Sequence, residues 1–120
     1  MGVTGAKPLR SAAQVVLDHL DSVRSGDPNA MAADYAATAV LERPDASWHG
    51  RDQIAAYFRT VPQRLGGGVV EFVHLDRDSL QVQWRIVGGP GDGRSGSDHY
   101  RIEDGMIAHQ TVKLNAGGDF

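Results

Sequence analysis

The sequence feature that most constrains the fold is the stretch from Ser97 to Leu114, where two alternating runs of apolar and polar residues flank Glu103-Asp104-Gly105. An Asp-Gly step between two such runs is typical of a tight β-hairpin turn. Successive side chains of a strand point to opposite faces, so Asp98 shares its face with Tyr100 and Ile102. The sequence therefore predicts a β-hairpin that carries an acid on its apolar, core-facing side.

The position of Asp98 is informative because a carboxylate that faces a core must be paired, protonated or open to a cavity. A different interpretation places Asp98 at a strand end, where its side chain bonds to nearby backbone or to water. The sequence leaves both interpretations open. If a cavity exists, Asp98 is the first candidate for a functional residue.

The length of 120 residues fits a single domain with its own core, with flexible tails predicted at residues 1–10 and 116–120. A net charge of -3 without any block of Lys or Arg makes nucleic acid and anionic membranes unexpected partners. The chain has no cysteine, which excludes disulfides, thiolate metal sites and a cysteine nucleophile. No apolar run resembles a signal peptide or a membrane span, so the cytoplasm is the default location.

Two helices are predicted near the amino terminus. Ser11 is a suitable N-cap for the first helix. Its apolar face repeats with the helical spacing i, i+3, i+4 and i+7, at Val16, His19, Leu20 and Val23. Asp27-Pro28 combines an N-cap with a proline at the first helical position, which predicts a second helix that runs to about Ala37.

A third helix and a set of strands complete the pattern. The helical spacing recurs at Ile54, Tyr57, Phe58 and Val61, and the glycines at 66–68 end this helix. A short strand at Ala39–Arg43 and a brief returning strand precede it. A mostly apolar run, 69–75, and an alternating run, 80–86, precede the hairpin. This order indicates an α+β fold, with three N-terminal helices packed on one face of a mostly antiparallel sheet.

A family resemblance is carried by four short motifs in this order, Ser25-Gly26-Asp27, Leu41-Glu42-Arg43-Pro44, Trp48 to Ile54, and Asp98 to Ile102. The chain resembles the nuclear transport factor 2-like (NTF2-like) superfamily, in its ketosteroid isomerase and SnoaL-like polyketide cyclase branch, from about residue 11 to 115. The resemblance implies a curved sheet wrapped into a cone, three helices in its concave face and a deep apolar pocket. It also implies a homodimer through the outer face of the sheet.

The functional residues of the isomerases match this chain only in part. Asp98 corresponds to their inward aspartic acid, which is kept protonated and donates to an oxyanion. The place of their catalytic base, a carboxylate just before a proline, holds Arg43. Their tyrosine donor and its tyrosine partner fall on His19 and Phe58, with Tyr57 one position earlier. The resemblance therefore implies the cavity, with chemistry that differs from steroid isomerisation.

Asp98 and His19 are the predicted catalytic residues. In one hypothesis Asp98 orients or charges His19, and the imidazole moves a proton on an apolar ketone-like, polyketide-like or steroid-like ligand. In another, an apolar wall keeps Asp98 protonated as a donor to an enolate, an effect for which ketosteroid isomerase is the known example. The predicted ligand-contacting residues are Tyr57, Phe58, Trp84, Tyr100, Gln110, Arg43, Val16 and Val112. No cofactor is expected.

Several alternatives accompany these predictions. Arg43 either holds a carboxylate or phenolate of the ligand, or forms a surface ion pair with Asp45 or Glu42. Val112 stands where a limonene epoxide hydrolase would need an acid, which argues against that branch. The histidines are scattered without an i, i+4 pair, so no metal site is expected. The alternative function is a ligand-binding or dimerising domain without catalysis, in which His19 is a core histidine.

Overall fold

Three helices and six strands make up residues 10–115, the part of the chain that the computed structural model describes. In chain order the elements are α1 (Ala12–Ser25), α2 (Pro28–Ala33), β1 (Tyr35–Glu42), β2 (Ser47–His49), α3 (Arg51–Leu65), β3 (Val69–Asp76), β4 (Gln81–Val87), β5 (Ser95–Glu103) and β6 (Met106–Leu114). The predicted tails lie outside the described residues apart from Arg10. The predicted homodimer stays a prediction, since a single chain is described.

The helices begin and end at the residues that the sequence indicates. The Ser11 hydroxyl caps α1 by accepting a hydrogen bond from the backbone N–H of Gln14 at 3.1 Å. Gly26 ends the same helix in the left-handed conformation, with φ of 76°. Asp27 caps α2 with Pro28 in its first turn, as predicted. The local sequence therefore determines most helix boundaries.

One boundary is wrong in the prediction, because α2 ends at Ala33 rather than near Ala37. The next residues form β1, in which Tyr35 lies beside Ile107 in a parallel pairing with β6. The backbone N–H of Ile107 also donates to the Asp34 carbonyl at 2.8 Å. This pairing with a strand distant in sequence outweighs the helical tendency of the alanines, and local patterns do not contain it.

The six strands form one sheet in the order β2-β1-β6-β5-β4-β3. All neighbouring pairs are antiparallel except β1 with β6, so the predicted mostly antiparallel α+β architecture is confirmed. The predicted hairpin joins β5 to β6, and Asp104 and Gly105 both have positive φ, 52° and 74°, as a type I′ turn requires. Register shifts in β1, β3 and the hairpin mark places where the sheet bends.

The core lies between the three helices and one face of the sheet. Along β4 the residues alternate as predicted, with Val82, Trp84 and Ile86 buried and their neighbours exposed. Val15, Val16 and Leu20 of α1 pack in the same core cluster, together with residues of α2 and α3. No helix within residues 10–115 is long and apolar enough to cross a bilayer.

Candidate functional site

A cavity of about 530 Å³ opens between the helices and the inner face of the sheet. Its volume is in the range of small-molecule sites, and apolar side chains form most of its wall. Nine of the ten predicted site residues line it: His19, Arg43, Tyr57, Phe58, Trp84, Asp98, Tyr100, Gln110 and Val112. The tenth, Val16, was wrongly assigned to the wall, because its side chain is fully buried in the core cluster beneath α1.

Sequence reasoning missed a group of apolar residues of the cavity wall. They are Val23, Met31, Val61, Leu65, Val70 and Phe72. The signal was present for three of them. Val23 lies one helical turn after His19, and Val61 and Leu65 lie one and two turns after Tyr57. Val23 and Val61 already lie on the predicted helical faces, and extending the second face by one turn would have reached Leu65.

Asp98 lies on the cavity wall with 8% of its surface exposed. Its Oδ1 accepts a hydrogen bond from the Trp84 indole N–H at 3.1 Å, and its Oδ2 accepts one from the Tyr100 hydroxyl at 3.4 Å. The strand periods of β4 and β5 put all three side chains on the inner face. Asp98 is therefore paired and open to the cavity, and the strand-end interpretation is wrong.

The protonation of Asp98 is shifted toward neutrality. Burial raises the pKa of Asp98 to about 6, although hydrogen bonds from Trp84, Tyr100 and Gln110 and the charge of Arg43 act in the opposite direction. Near pH 7 the group is mostly ionised, yet it can hold a proton without a large free-energy cost. A carboxyl group with these properties suits general acid and base catalysis.

His19 is 1% exposed and both of its ring nitrogens face groups other than Asp98. Nε2 lies 3.2 Å from the Tyr35 hydroxyl, which in turn donates to Oε1 of Gln110. Nδ1 lies 3.5 Å from Oδ2 of Asp34, a contact without the geometry of a hydrogen bond. The predicted direct pair of His19 with Asp98 is therefore wrong, because Tyr35 and Gln110 occupy the polar positions between them.

Asp34 is the carboxylate that accompanies His19. Arg10 contacts its Oδ1 at 3.2 Å, and the Ser22 hydroxyl donates to its Oδ2 at 3.2 Å. Burial alone would raise the pKa of Asp34, but the contacts with His19, Arg10 and Ser22 outweigh burial and lower it. Arg10 also donates to the carbonyl of Gly105 at 3.0 Å. This cluster therefore joins α1, the end of α2 and the hairpin turn.

Arg43 and Tyr57 form a second polar part of the wall. The Arg43 guanidinium donates to the Tyr57 hydroxyl at 3.1 Å and lies 3.5 Å from Asp45. Burial alone would lower the pKa of Arg43, yet Tyr57 and Asp45 raise it above its ordinary value, so the side chain stays charged. The predicted contact with Asp45 exists, but it is not a surface pair, because the Arg43 side chain is 3% exposed.

The described polar groups do not form a metal site. Within residues 10–115, no three His, Asp or Glu side chains are close enough to hold a metal ion together. The wall instead offers a carboxyl group that can exchange a proton, a permanent cation and phenolic hydroxyls around an apolar interior.

Comparisons with solved structures agree on the fold. A candidate polyketide cyclase from Sinorhizobium meliloti is 23% identical, with a TM-score of 0.70 over 83% of this chain and 94% of that one. A candidate isomerase of the SnoaL-like family from Agrobacterium tumefaciens is 16% identical, with a TM-score of 0.68 over 85% and 98%. An NTF2-like protein of unknown function from Cytophaga hutchinsonii is 13% identical, with a TM-score of 0.72 over 93% and 96%.

These identities are low, so the likeness to solved structures establishes the shared fold alone. No curated protein matches the sequence significantly. The SnoaL-like domain family, however, matches residues 16–110, which include Asp98 and most of the cavity wall. The resemblance carried by the sequence motifs is confirmed: the chain belongs to the SnoaL-like domain family, and it has an NTF2-like fold.

Proposed function

We propose that the protein binds an apolar, ketone-like small molecule in its cavity and catalyses a proton transfer on it, as an isomerase or cyclase that needs no cofactor. The observation that carries this proposal is the Asp98 carboxyl group, which is buried on an apolar wall and has a pKa of about 6. A group of this kind can take a proton from the carbon beside a carbonyl and return it elsewhere. A positioned acid or base of this kind contributes about 10²–10⁴-fold to a rate.

The hydrogen bonds at Asp98 favour the role of a base. Both Trp84 and Tyr100 donate to the carboxylate oxygens, and such donors stabilise the ionised form. They also hold the carboxylate in one orientation, which general base catalysis requires. We therefore assign Asp98 as the base that removes the proton, in place of the protonated donor that the resemblance implies.

His19 has a positioning role in this proposal. Its contact with the Tyr35 hydroxyl holds a row of polar side chains, and Tyr35 in turn orients the carboxamide of Gln110 through its carbonyl oxygen. The amide hydrogens of Gln110 are then free to face Asp98, whose pKa this side chain lowers. The imidazole is thus connected to the base through two neutral groups.

The proposal is tested by following hydrogen exchange at the α-carbon of 2-tetralone, an apolar ketone, in deuterated water by NMR. Asp98→Asn is expected to reduce enzyme-dependent exchange by about 10²–10⁴-fold. His19→Ala is expected to cause a smaller loss, because the imidazole does not contact Asp98 directly. Glu71→Gln, on the exposed side of the sheet, is the matched control and should leave exchange unchanged. Equal exchange in wild type and Asp98→Asn would contradict the proposal.

The second candidate function is a ligand-binding domain without catalysis. It is favoured by the apolar wall, which would hold a small molecule whether or not Asp98 reacts with it. In that case wild type, Asp98→Asn and His19→Ala would be equally inert toward 2-tetralone. The ketone would still raise the melting temperature of all three proteins.

A further inference from the structure

The charges on the cavity wall are unequal in number. Two arginines, Arg24 and Arg43, line the cavity, and Asp98 is the single carboxylate among the described lining residues. An apolar cavity with permanent cations on its wall favours a ligand that carries negative charge. The two arginines differ, however, in how they are held.

Arg24 belongs to the solvated surface at the cavity mouth. Its side chain is 55% exposed and pairs with Asp21 of the same helix at 2.9 Å. Arg43 is nearly covered, and its carboxylate partner Asp45 is 68% exposed and 3.5 Å away. Less water screens a covered cation than an exposed one, so the attraction of a covered cation to an anion inside the cavity is stronger. Arg43 is therefore the better candidate to contact a bound anion.

Tyr57 adds a second donor at the same place. Its hydroxyl accepts a hydrogen bond from Arg43 at 3.1 Å, so its own O–H remains to donate. The ring is held on its sides by Trp48, at 4.4 Å between ring centroids, and by the Arg64 guanidinium at 5.0 Å. A planar guanidinium beside a fixed phenol presents several hydrogen-bond donors to a single anionic oxygen group of a ligand.

We propose that Arg43 and Tyr57 bind an acidic oxygen of the ligand, so that the ligand is an apolar molecule with a carboxylate or phenolate group. This inference rests on the proposed function for the apolar body of the ligand, and it adds the group that orients that body toward Asp98. A carboxylate and a phenolate both carry an anionic oxygen that can accept hydrogen bonds from a guanidinium and a phenol. Both are therefore included as probes.

The experiment measures binding by calorimetry at pH 8 with 2-naphthoate and with its neutral analogue 2-naphthamide. Wild type is expected to bind the carboxylate about 10- to 100-fold more tightly, the range for a hydrogen-bonded charge. Arg43→Gln should abolish this preference, and Arg24→Gln, the matched control at the cavity mouth, should retain it. 2,4-Dinitro-1-naphtholate tests the phenolate in the same way, and a preference for either anion supports the proposal.

Two outcomes would overturn the proposal. One is equal affinity of wild type for 2-naphthamide and for both anions. The other is an equal loss of anion binding in Arg24→Gln and Arg43→Gln, which would indicate general attraction to a positive surface. Arg43→Lys keeps the positive charge but lacks the planar guanidinium, so it should retain part of the preference for the anion. This partial preference would show that Arg43→Gln loses the anion contact rather than the fold.

The same measurements in Asp98→Asn separate this inference from the proposed function, since binding requires no turnover. The preference for 2-naphthoate should persist or increase in Asp98→Asn, because the variant removes a like charge from the wall. If the preference persists while 2-tetralone exchange is absent in wild type, the proposed catalysis fails and the anchor stands. If exchange is present while the preference is absent, the anchor alone fails.

Discussion

Two buried carboxyl groups, Asp34 and Asp98, differ in protonation although each is 8% exposed. Asp34 lies against the Arg10 guanidinium and the His19 ring, and its pKa is lowered. Asp98 lies against the neutral donors of Trp84 and Tyr100, and burial raises its pKa to about 6. Burial acts in the same direction on both acids and prevails at Asp98, whereas the direct contacts with Arg10 and His19 outweigh it at Asp34.

The comparison separates an acid that stabilises the fold from an acid that costs stability. An acid whose pKa is lowered on folding stabilises the folded state wherever it is ionised. An acid whose pKa is raised destabilises the folded state above that pKa, a cost that is typical of functional sites. A row of polar side chains lies between the two acids and connects them. This polar row consists of His19, Tyr35 and Gln110.

The largest expected effect is that of Asp34→Asn. The variant removes the negative charge that faces Arg10 and His19, and leaves both without their shared carboxylate. We expect a loss of about 3 kcal/mol in the free energy of unfolding at pH 7, the lower limit for breaking a buried ion pair, because Arg10 keeps its contact with Asp18 at 3.1 Å. Urea unfolding measures this change.

The control for Asp34→Asn is Asp21→Asn, which removes an exposed i, i+3 pair with Arg24. It should change stability by less than about 1 kcal/mol, as exposed pairs do. Equal effects of the two variants would break the comparison, because Asp34 would then behave as a surface acid.

The second effect has the opposite sign. Asp98→Asn should stabilise the protein by about 2 kcal/mol at pH 8, because the variant removes a charge that burial disfavours. The shift of the pKa from 3.8 to about 6 sets an upper limit near 3 kcal/mol, and the carboxamide loses part of this by accepting fewer hydrogen bonds. Thermal unfolding of both proteins at pH 8 measures the difference.

The pH dependence checks the sign of this prediction. Because folding raises the pKa of Asp98, the folded state binds more protons between pH 3.8 and about 6, and stability from this group falls as the pH rises through that window. Above about pH 7 the group is ionised in both states and its cost is constant. The advantage of Asp98→Asn should therefore be absent near pH 4 and complete near pH 7. An advantage that does not vary with pH would contradict the assignment.

The fold was largely predictable because its signals are local. Ser11, the Asp27-Pro28 pair and Asp104-Gly105 each form the cap or turn that their chemistry favours. The boundary between α2 and β1 was not predictable in this way, since Tyr35 enters a strand by pairing with β6. Parallel pairing between distant segments leaves no periodic signal at the point where a helix ends.

The candidate site was predictable to the extent that it depends on which face a residue occupies. Strand alternation placed Trp84, Asp98 and Gln110 on the inner face, and helical spacing placed His19 on the cavity side. The partner of His19 was not predictable, because Asp34 was taken as part of a longer helix. Because the end of α2 was misplaced by one turn, Asp34 was not considered as a site residue. Its partner His19 was therefore assigned to Asp98.

The smallest expected effect is that of Tyr35→Phe, which tests whether the two acids are coupled. The Tyr35 hydroxyl lies 3.2 Å from His19 Nε2 and donates to Gln110. The variant removes this hydrogen bond, so the Gln110 carboxamide that faces Asp98 is oriented less firmly. The pH midpoint of exchange should rise slightly, since Gln110 lowers the pKa of Asp98. Tyr100→Phe removes a direct donor to Asp98 and should raise the midpoint further. Stability should fall by about 1 kcal/mol in Tyr35→Phe.

The order of the two midpoints, from pH profiles of 2-tetralone exchange, decides how independent the acids are. A shift of the midpoint in Tyr35→Phe as large as that in Tyr100→Phe would mean that the polar row carries the effect to Asp98 without loss. Asp34→Asn should then shift the midpoint as well. A small shift in Tyr35→Phe, with none in Asp34→Asn, would mean that neutral hydrogen bonds weaken the coupling at each step. The domain would then tune its cavity acid while the acid beside His19 stabilises the fold.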